Sequence, residues 1–253
     1  MVKCLTSLDS SSPCASIVKW QWQHLKNLDP ADRADHWEDW HQLPEPWVGH
    51  LDQARILFVS SNPSIGGEVP PDFKTASPPA GRVTARWKDD EIIRRFERAF
   101  DDFMDGGTRI RGEGRAVRYW SSIKRRAIEL LPNEDVEPGV DYALTEVVRC
   151  KSRGEEGVWS AVQECAPRYL QTTLHLSPAV VIVALGAHAR RELTGMFNVD
   201  AATGVTPINI AGTERLLTFL PHPNARKLPK SFAKNLEPHQ LRHLQSRLQQ
   251  RRS

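Results

Sequence analysis

Short, uninterrupted apolar runs separated by helical stretches constrain this chain more than any other feature. Ile56-Leu57-Phe58-Val59, Val180 to Leu185 and Leu216 to Leu220 lack the polar–apolar alternation of a half-exposed strand. A strand buried on both faces reads this way, and such strands belong to parallel sheets covered by helices. The pattern predicts strands over Arg55 to Ser60, Tyr142 to Val148, Val180 to Leu185 and Leu216 to Leu220, with a short extra strand at Ile208 to Ile210. Helices are expected at Asp89 to Met104, Tyr119 to Leu131, Val158 to Leu174 and Ala187 to Leu193, and Pro238 to Gln250 closes the chain. Strands alternating with helices imply an α/β fold, here a three-layer α/β/α domain around a central four-stranded, mainly parallel sheet.

The 253 residues read as one domain with a sizeable core. Residues 1–50 form a Trp-rich extension that carries five of the eight tryptophans, with helices expected over 16–26 and 30–41. Residues 65–118 read as an insert that opens with a long Pro- and Gly-rich loop. Loops of that length are functional or disordered. Net charge is only +3, but cations cluster at Arg94-Arg95, Arg109 to Arg118, Lys124-Arg125-Arg126 and Arg226 to Lys234. Such clusters suit a phosphate backbone. No apolar run approaches the roughly 20 residues that span a bilayer, and the N-terminus lacks the apolar core of a signal peptide. A cytoplasmic monomer without structural disulfides is expected.

In open α/β sheets the ligand crevice lies just past the carboxyl ends of the strands. Two loops stand there. Ser60-Ser61-Asn62-Pro63-Ser64 follows the first strand, and Pro221-His222-Pro223-Asn224 follows the last. Asn62 can orient a water through its amide oxygen, although an Asn before Pro also forms turns. His222 can donate a hydrogen bond to a carbonyl on which negative charge builds. No Gly-rich phosphate loop is present, and no Ser-His-Asp order surrounds a nucleophile elbow.

Taken in order, these segments resemble the uracil-DNA glycosylase superfamily from Arg55 to Lys227, interrupted by the insert. Leu144-Thr145-Glu146-Val147-Val148-Arg149-Cys150, Glu164-Cys165-Ala166-Pro167-Arg168-Tyr169-Leu170 and Pro178 to Gly186 are similar to its thermostable iron–sulfur branch. The Asn62 loop is similar to the Gly-x-Asn-Pro-Gly loop of the mismatch-specific and single-strand-selective branches. The resemblance implies that Asn62 positions the attacking water and His222 grips the pyrimidine O2. Ser61 and Ser64 would flank the base, with Phe73 as the stacking ring and Trp87 as the second choice. Asn224, Arg226, Lys227 and Lys230 would meet DNA, Arg226 as the wedge that fills the space of the flipped base.

Glu146 departs from the iron–sulfur branch, which has Asn there to read the uracil edge. An ionised Glu only accepts hydrogen bonds, which suits the exocyclic amine of cytosine and repels O4 of uracil. Unmodified cytosine cannot be the target in a living host, so a cytosine with a bulky 5-substituent, as in modified phage DNA, is expected. The competing reading is a protonated or averted Glu146, with uracil as substrate. Cys150 and Cys165, with 14 residues between them, fit the family's second cluster-ligand pair. Cys4 and Cys14 depart from its tight first pair; the four thiols suit one structural [4Fe–4S] cluster, the alternative being two buried cysteines without a cluster and two in a loose N-terminal tail.

Three function classes follow: a monofunctional DNA glycosylase, a non-catalytic DNA-binding sensor on the same fold, and another α/β enzyme such as a nucleoside hydrolase. The last needs a metal-binding aspartate cluster that these loops lack. No lysine stands in either loop core, so β-lyase chemistry is not expected.

Overall fold

The computed structural model describes residues 45–63, 94, 96–102, 104–110, 117–152 and 154–250. Within them lies a six-stranded mixed sheet: β1 (Trp47–Val48), β2 (Ile56–Ser60), β5 (Tyr142–Glu146), β6 (Val181–Leu185), β7 (Val205–Ile210) and β8 (Thr213–Leu220). Two further strands, β3 (Met104–Asp105) and β4 (Arg109–Ile110), form a separate small ribbon. The order in the large sheet is β1-β5-β2-β6-β8-β7. The inner four strands are parallel, and β1 and β7 pair antiparallel at the two edges.

The three apolar runs and the segment from Tyr142 are therefore the four parallel strands, and β2, β5 and β6 are buried at every position. The expected four-stranded sheet is corrected to six. Trp47–Val48 is too short for any sequence period to mark it. Val205–Ile210 is only half buried, so its apolar signal is diluted by Thr206, Pro207 and Asn209. It joins β8 through Ala211 and Gly212, both at positive φ (51° and 80°), a two-residue turn that matches strand twist.

Helices cover both faces. Alternate strand residues Leu57, Val59, Ile182, Ala184 and Leu217 pack under α3 (Val158–Cys165), α4 (Gln171–Leu176) and α5 (Gly186–Phe197). Ile56, Phe58, Val181, Val183 and Leu216 pack on the other side under α2 (Arg118–Leu130), α6 (Phe232–Asn235) and α7 (Pro238–Gln250). Each fully buried Leu or Ile on these faces contributes roughly 1.5–3 kcal/mol relative to an exposed one.

Two helix expectations change. The run from Val158 holds to Leu176 but contains a π-helical turn at Ala166–Leu170, where Pro167 has no N–H for the ordinary helical bond. The helix expected up to Met104 ends earlier, because α1 (Ala99–Asp102) gives way to β3. The helices expected over 16–26 and 30–41, and the loop after Ser64, lie outside the described residues. No helix among the described residues is long and apolar enough to cross a membrane.

Candidate functional site

The carboxyl ends of the parallel strands form one cluster of polar side chains. Ser60 ends β2 directly opposite Glu146, which ends β5. The two chains stay together beyond the strands, since Val147 N donates to Ser60 O and Val148 N to Ser61 O, both at 2.9 Å. Asn62 and Ser152 therefore meet just past the carboxyl ends of β2 and β5.

Asn62 is buried, and its Nδ2 donates to Pro63 O at 2.9 Å, Ser152 Oγ at 3.0 Å and, more weakly, Cys150 O at 3.4 Å. Two of these partners are backbone carbonyls, which can only accept. The amide orientation is thereby decided by chemistry rather than by choice of atom labels. Oδ1 is left as the open acceptor, the group needed to orient a water.

His222 follows β8 and rests on Gly186, the residue after β6. A Cβ at Gly186, where φ is +86°, would lie 3.0 Å from the His222 Cβ, so only glycine lets the imidazole sit this low. Asn224 N donates to His222 Nδ1 at 3.2 Å. A ring whose Nδ1 accepts carries its proton on Nε2 when neutral. Burial first, and then Lys230, lower the His222 pKa, while Glu155 works in the opposite direction. At neutral pH the side chain is a neutral Nε2–H donor.

The Tyr119 ring lies 5.6 Å from the His222 ring, centroid to centroid. Its hydroxyl reaches a shielded group of polar atoms with Ser60 Oγ and Glu146 Oε2, none of which has a directed hydrogen-bond partner. The Ser60 hydroxyl is near enough to both to favour their charged forms, but burial dominates and raises both pKa values well above normal. For Glu146 the negative charges of Glu45 and Glu155 add to that rise. Burial therefore favours the neutral form of Glu146, which offers one donor and one acceptor. That rise weighs against the expected acceptor-only carboxylate; sequence shows neither the burial nor Glu45, which pairs with Lys151 at 2.8 Å.

Ser61 is also buried, and its hydroxyl donates to Glu155 Oε1 at 2.6 Å, which leaves its oxygen as an acceptor only. Glu155 has φ of +62° between Gly154 (+61°) and Gly157 (+75°). Strained backbone at a non-glycine residue costs of order 1–3 kcal/mol and clusters at functional sites. Asn224, Arg226 and Lys227 lie on the loop after β8, with Lys227 at φ +62° and Lys230 just beyond them. Ser64, Phe73 and Trp87 lie outside the described residues.

Sequence reasoning missed Tyr119, Ser60, Glu155 and Gly186. Tyr119 has no local signal, because only the packing of α2 on the sheet brings it to His222. Gly186 did carry one, as a glycine at a strand-to-helix junction.

Cys150 and Cys165 are both buried in the same apolar cluster. Arg149 is close enough to Cys165 for that thiol to raise the guanidinium pKa against the larger effect of burial. Cys4 and Cys14 lie outside the described residues. His50, Asp52 and Glu97 bring one ligand atom each within 4.8 Å of one another, at the end of the sheet away from Asn62.

In comparisons with known proteins, no protein-family model and no curated relative matches the chain.

Proposed function

We propose that this chain is a monofunctional DNA glycosylase that flips a modified pyrimidine out of DNA and hydrolyses its N-glycosidic bond, leaving an abasic site. The finer fold assignment, a uracil-DNA glycosylase-like α/β/α domain, belongs to the same proposal. One observation carries it: an amide held with its oxygen open, an imidazole whose Nδ1 accepts and a buried carboxyl all stand at the carboxyl ends of four parallel strands.

The proposed chemistry uses each group once. Asn62 Oδ1 orients a water toward C1′ of the flipped nucleotide. His222 Nε2–H donates to the base O2 as the C1′–N1 bond breaks and its electron pair moves into the base. Glu146, as a neutral acid, donates its proton to N3 of a cytosine and accepts from the exocyclic amine. That proton matters, because the base then departs neutral and not as an anion. The water adds to C1′ and its proton returns to the Glu146 carboxylate. Asn224, Arg226, Lys227 and Lys230 form the cationic rim that meets DNA. A neutral Glu146 no longer repels O4 of uracil, and the substrate proposed remains a 5-modified cytosine such as glucosylated hydroxymethylcytosine, in keeping with a role against modified phage DNA. The four cysteines are proposed to hold a structural [4Fe–4S] cluster that takes no part in the chemistry.

Uracil is the second reading. The neutral state of Glu146 favours it too, since one donor and one acceptor also match N3–H and O4. Incubation with duplexes and single strands carrying uracil, hypoxanthine, a thymine mismatch or glucosylated hydroxymethylcytosine separates these readings through the abasic sites formed. Abasic sites at the modified cytosine are expected. Release of uracil alone selects repair, and DNA binding with no release from any substrate leaves a non-catalytic sensor.

A further inference from the structure

We propose that Trp159 and the side chains around it form a hexose-binding subsite that holds the sugar of a glycosylated base, an inference that rests on the glycosylase reading above. Trp159 stands near the start of α3 and is 62% exposed, the most exposed large apolar side chain among the described residues. Arg191 of α5 stacks its guanidinium 4.1 Å from the indole centroid. His188, also on α5, meets the indole at 5.4 Å with the rings steeply inclined. Glu155 Oε2 lies 3.9 Å from His188 Nε2, and Glu155 Oε1 accepts from Ser61, the residue before Asn62. A continuous set of contacts therefore runs from the water-positioning loop to the exposed indole.

The chemistry of this patch fits a neutral polyol. Arg191 is matched by Glu192, which accepts from its Nε at 2.9 Å and from its Nη2 at 2.8 Å. Glu155 adds a half-exposed carboxylate. The patch thus offers acceptors, donors and an aromatic face with no excess of positive charge. A phosphate strand wants the opposite balance, and the loop carrying Arg226, Lys227 and Lys230 supplies it elsewhere. A hexose presents one C–H face to an aromatic ring and hydroxyls at its rim, which carboxylate, imidazole and guanidinium can bind. The left-handed backbone at Gly154, Glu155 and Gly157 turns this segment between the catalytic loop and α3.

The test uses full-length Asn62→Ala protein, which prevents turnover, with and without Trp159→Ala. Equilibrium binding is measured for three oligonucleotides that differ at one cytosine: unmodified, hydroxymethylated and glucosylated. Trp159→Ala is expected to weaken the glucosylated oligonucleotide about tenfold and leave the other two unchanged, and Trp159→Phe to recover most of the loss. Equal weakening of all three marks a contact to the DNA strand and overturns the proposal, as does no weakening at all. A second measurement separates this failure from failure of the glycosylase reading. Free methyl glucoside is titrated against the otherwise native protein, and the Trp159 indole N–H resonance, assigned by its loss in Trp159→Ala, is followed. A saturable shift supports the subsite even if no base is released, and no shift overturns it.

Discussion

Replacing Asn62 by aspartate is the sharpest test of how the site is built. In an otherwise similar pocket, a carboxylate would be a stronger water-activating base, and chemical intuition predicts gain. The structure predicts loss. Asn62 Nδ2 serves three acceptors, and the two short bonds, to Pro63 O and Ser152 Oγ, contribute about 1 kcal/mol each. Asn62→Ala should therefore cost about 2 kcal/mol. Asn62→Asp loses the same bonds and sets a buried negative oxygen against the carbonyls of Pro63 and Cys150. Leaving a buried charge unmatched costs at least a further ~1–3 kcal/mol. That penalty belongs to the ionised form, so the folded pKa of the introduced carboxyl lies above its unfolded value of about 4. The sign follows: the stability of Asn62→Asp relative to Asn62→Ala is greatest below that value and falls as pH rises through the folded pKa. Urea denaturation of both variants from about pH 4 to pH 8, a range that brackets the unfolded carboxylate value and neutrality, paired with base-release assays, measures this. An aspartate variant as stable as the native protein at the alkaline end, or more active, refutes the amide orientation.

Four further outcomes are expected. Glu146→Gln should keep much of the binding, because an amide also offers one donor and one acceptor, but lose cytosine release through loss of the N3 proton donor; unchanged cytosine release would reject that role. The native protein should in turn lose activity as pH rises through the raised Glu146 pKa, and the Gln variant should show no such alkaline limb. His222→Ala should lower base release about 10²–10³-fold, as for a lost oxyanion donor, and the His222 resonances should titrate below the ordinary value near 6.5. Gly186→Ala forces a side chain into left-handed backbone against His222, which should destabilise the fold by about 1–2 kcal/mol and depress base release further than that loss explains. Iron and sulfide analysis of anaerobically purified protein should give about four of each per chain, and serine at Cys150 or Cys165 should abolish the visible absorption.

How much of this was legible beforehand differs by element. The parallel strands are written in runs such as Val181 to Leu185, because burial on both faces leaves no polar position. β1 was not legible, since two residues carry no period, and its place depends on Thr145 Oγ1 donating to Pro46 O across the edge at 2.7 Å. The π-helical turn at Ala166–Leu170 had a marker in Pro167, but the response of the flanking helices to it is a matter of packing.

Asn62 and His222 could be chosen from sequence because both stand just past apolar strands, where a sheet of this kind opens its crevice. Their chemical states could not. The direction of the Asn62 amide is decided by the carbonyls of Pro63 and Cys150, the tautomer of His222 by the N–H of Asn224, and the raised pKa of Glu146 by burial beside Glu45. Apolar patterning is local and survives in one dimension. Protonation and orientation are set by desolvation and by partners that only the folded chain brings within a few ångströms. The sequence alone therefore determined an α/β sheet and the two loops at its carboxyl edge, and the tertiary structure decided which proton and which lone pair each loop presents.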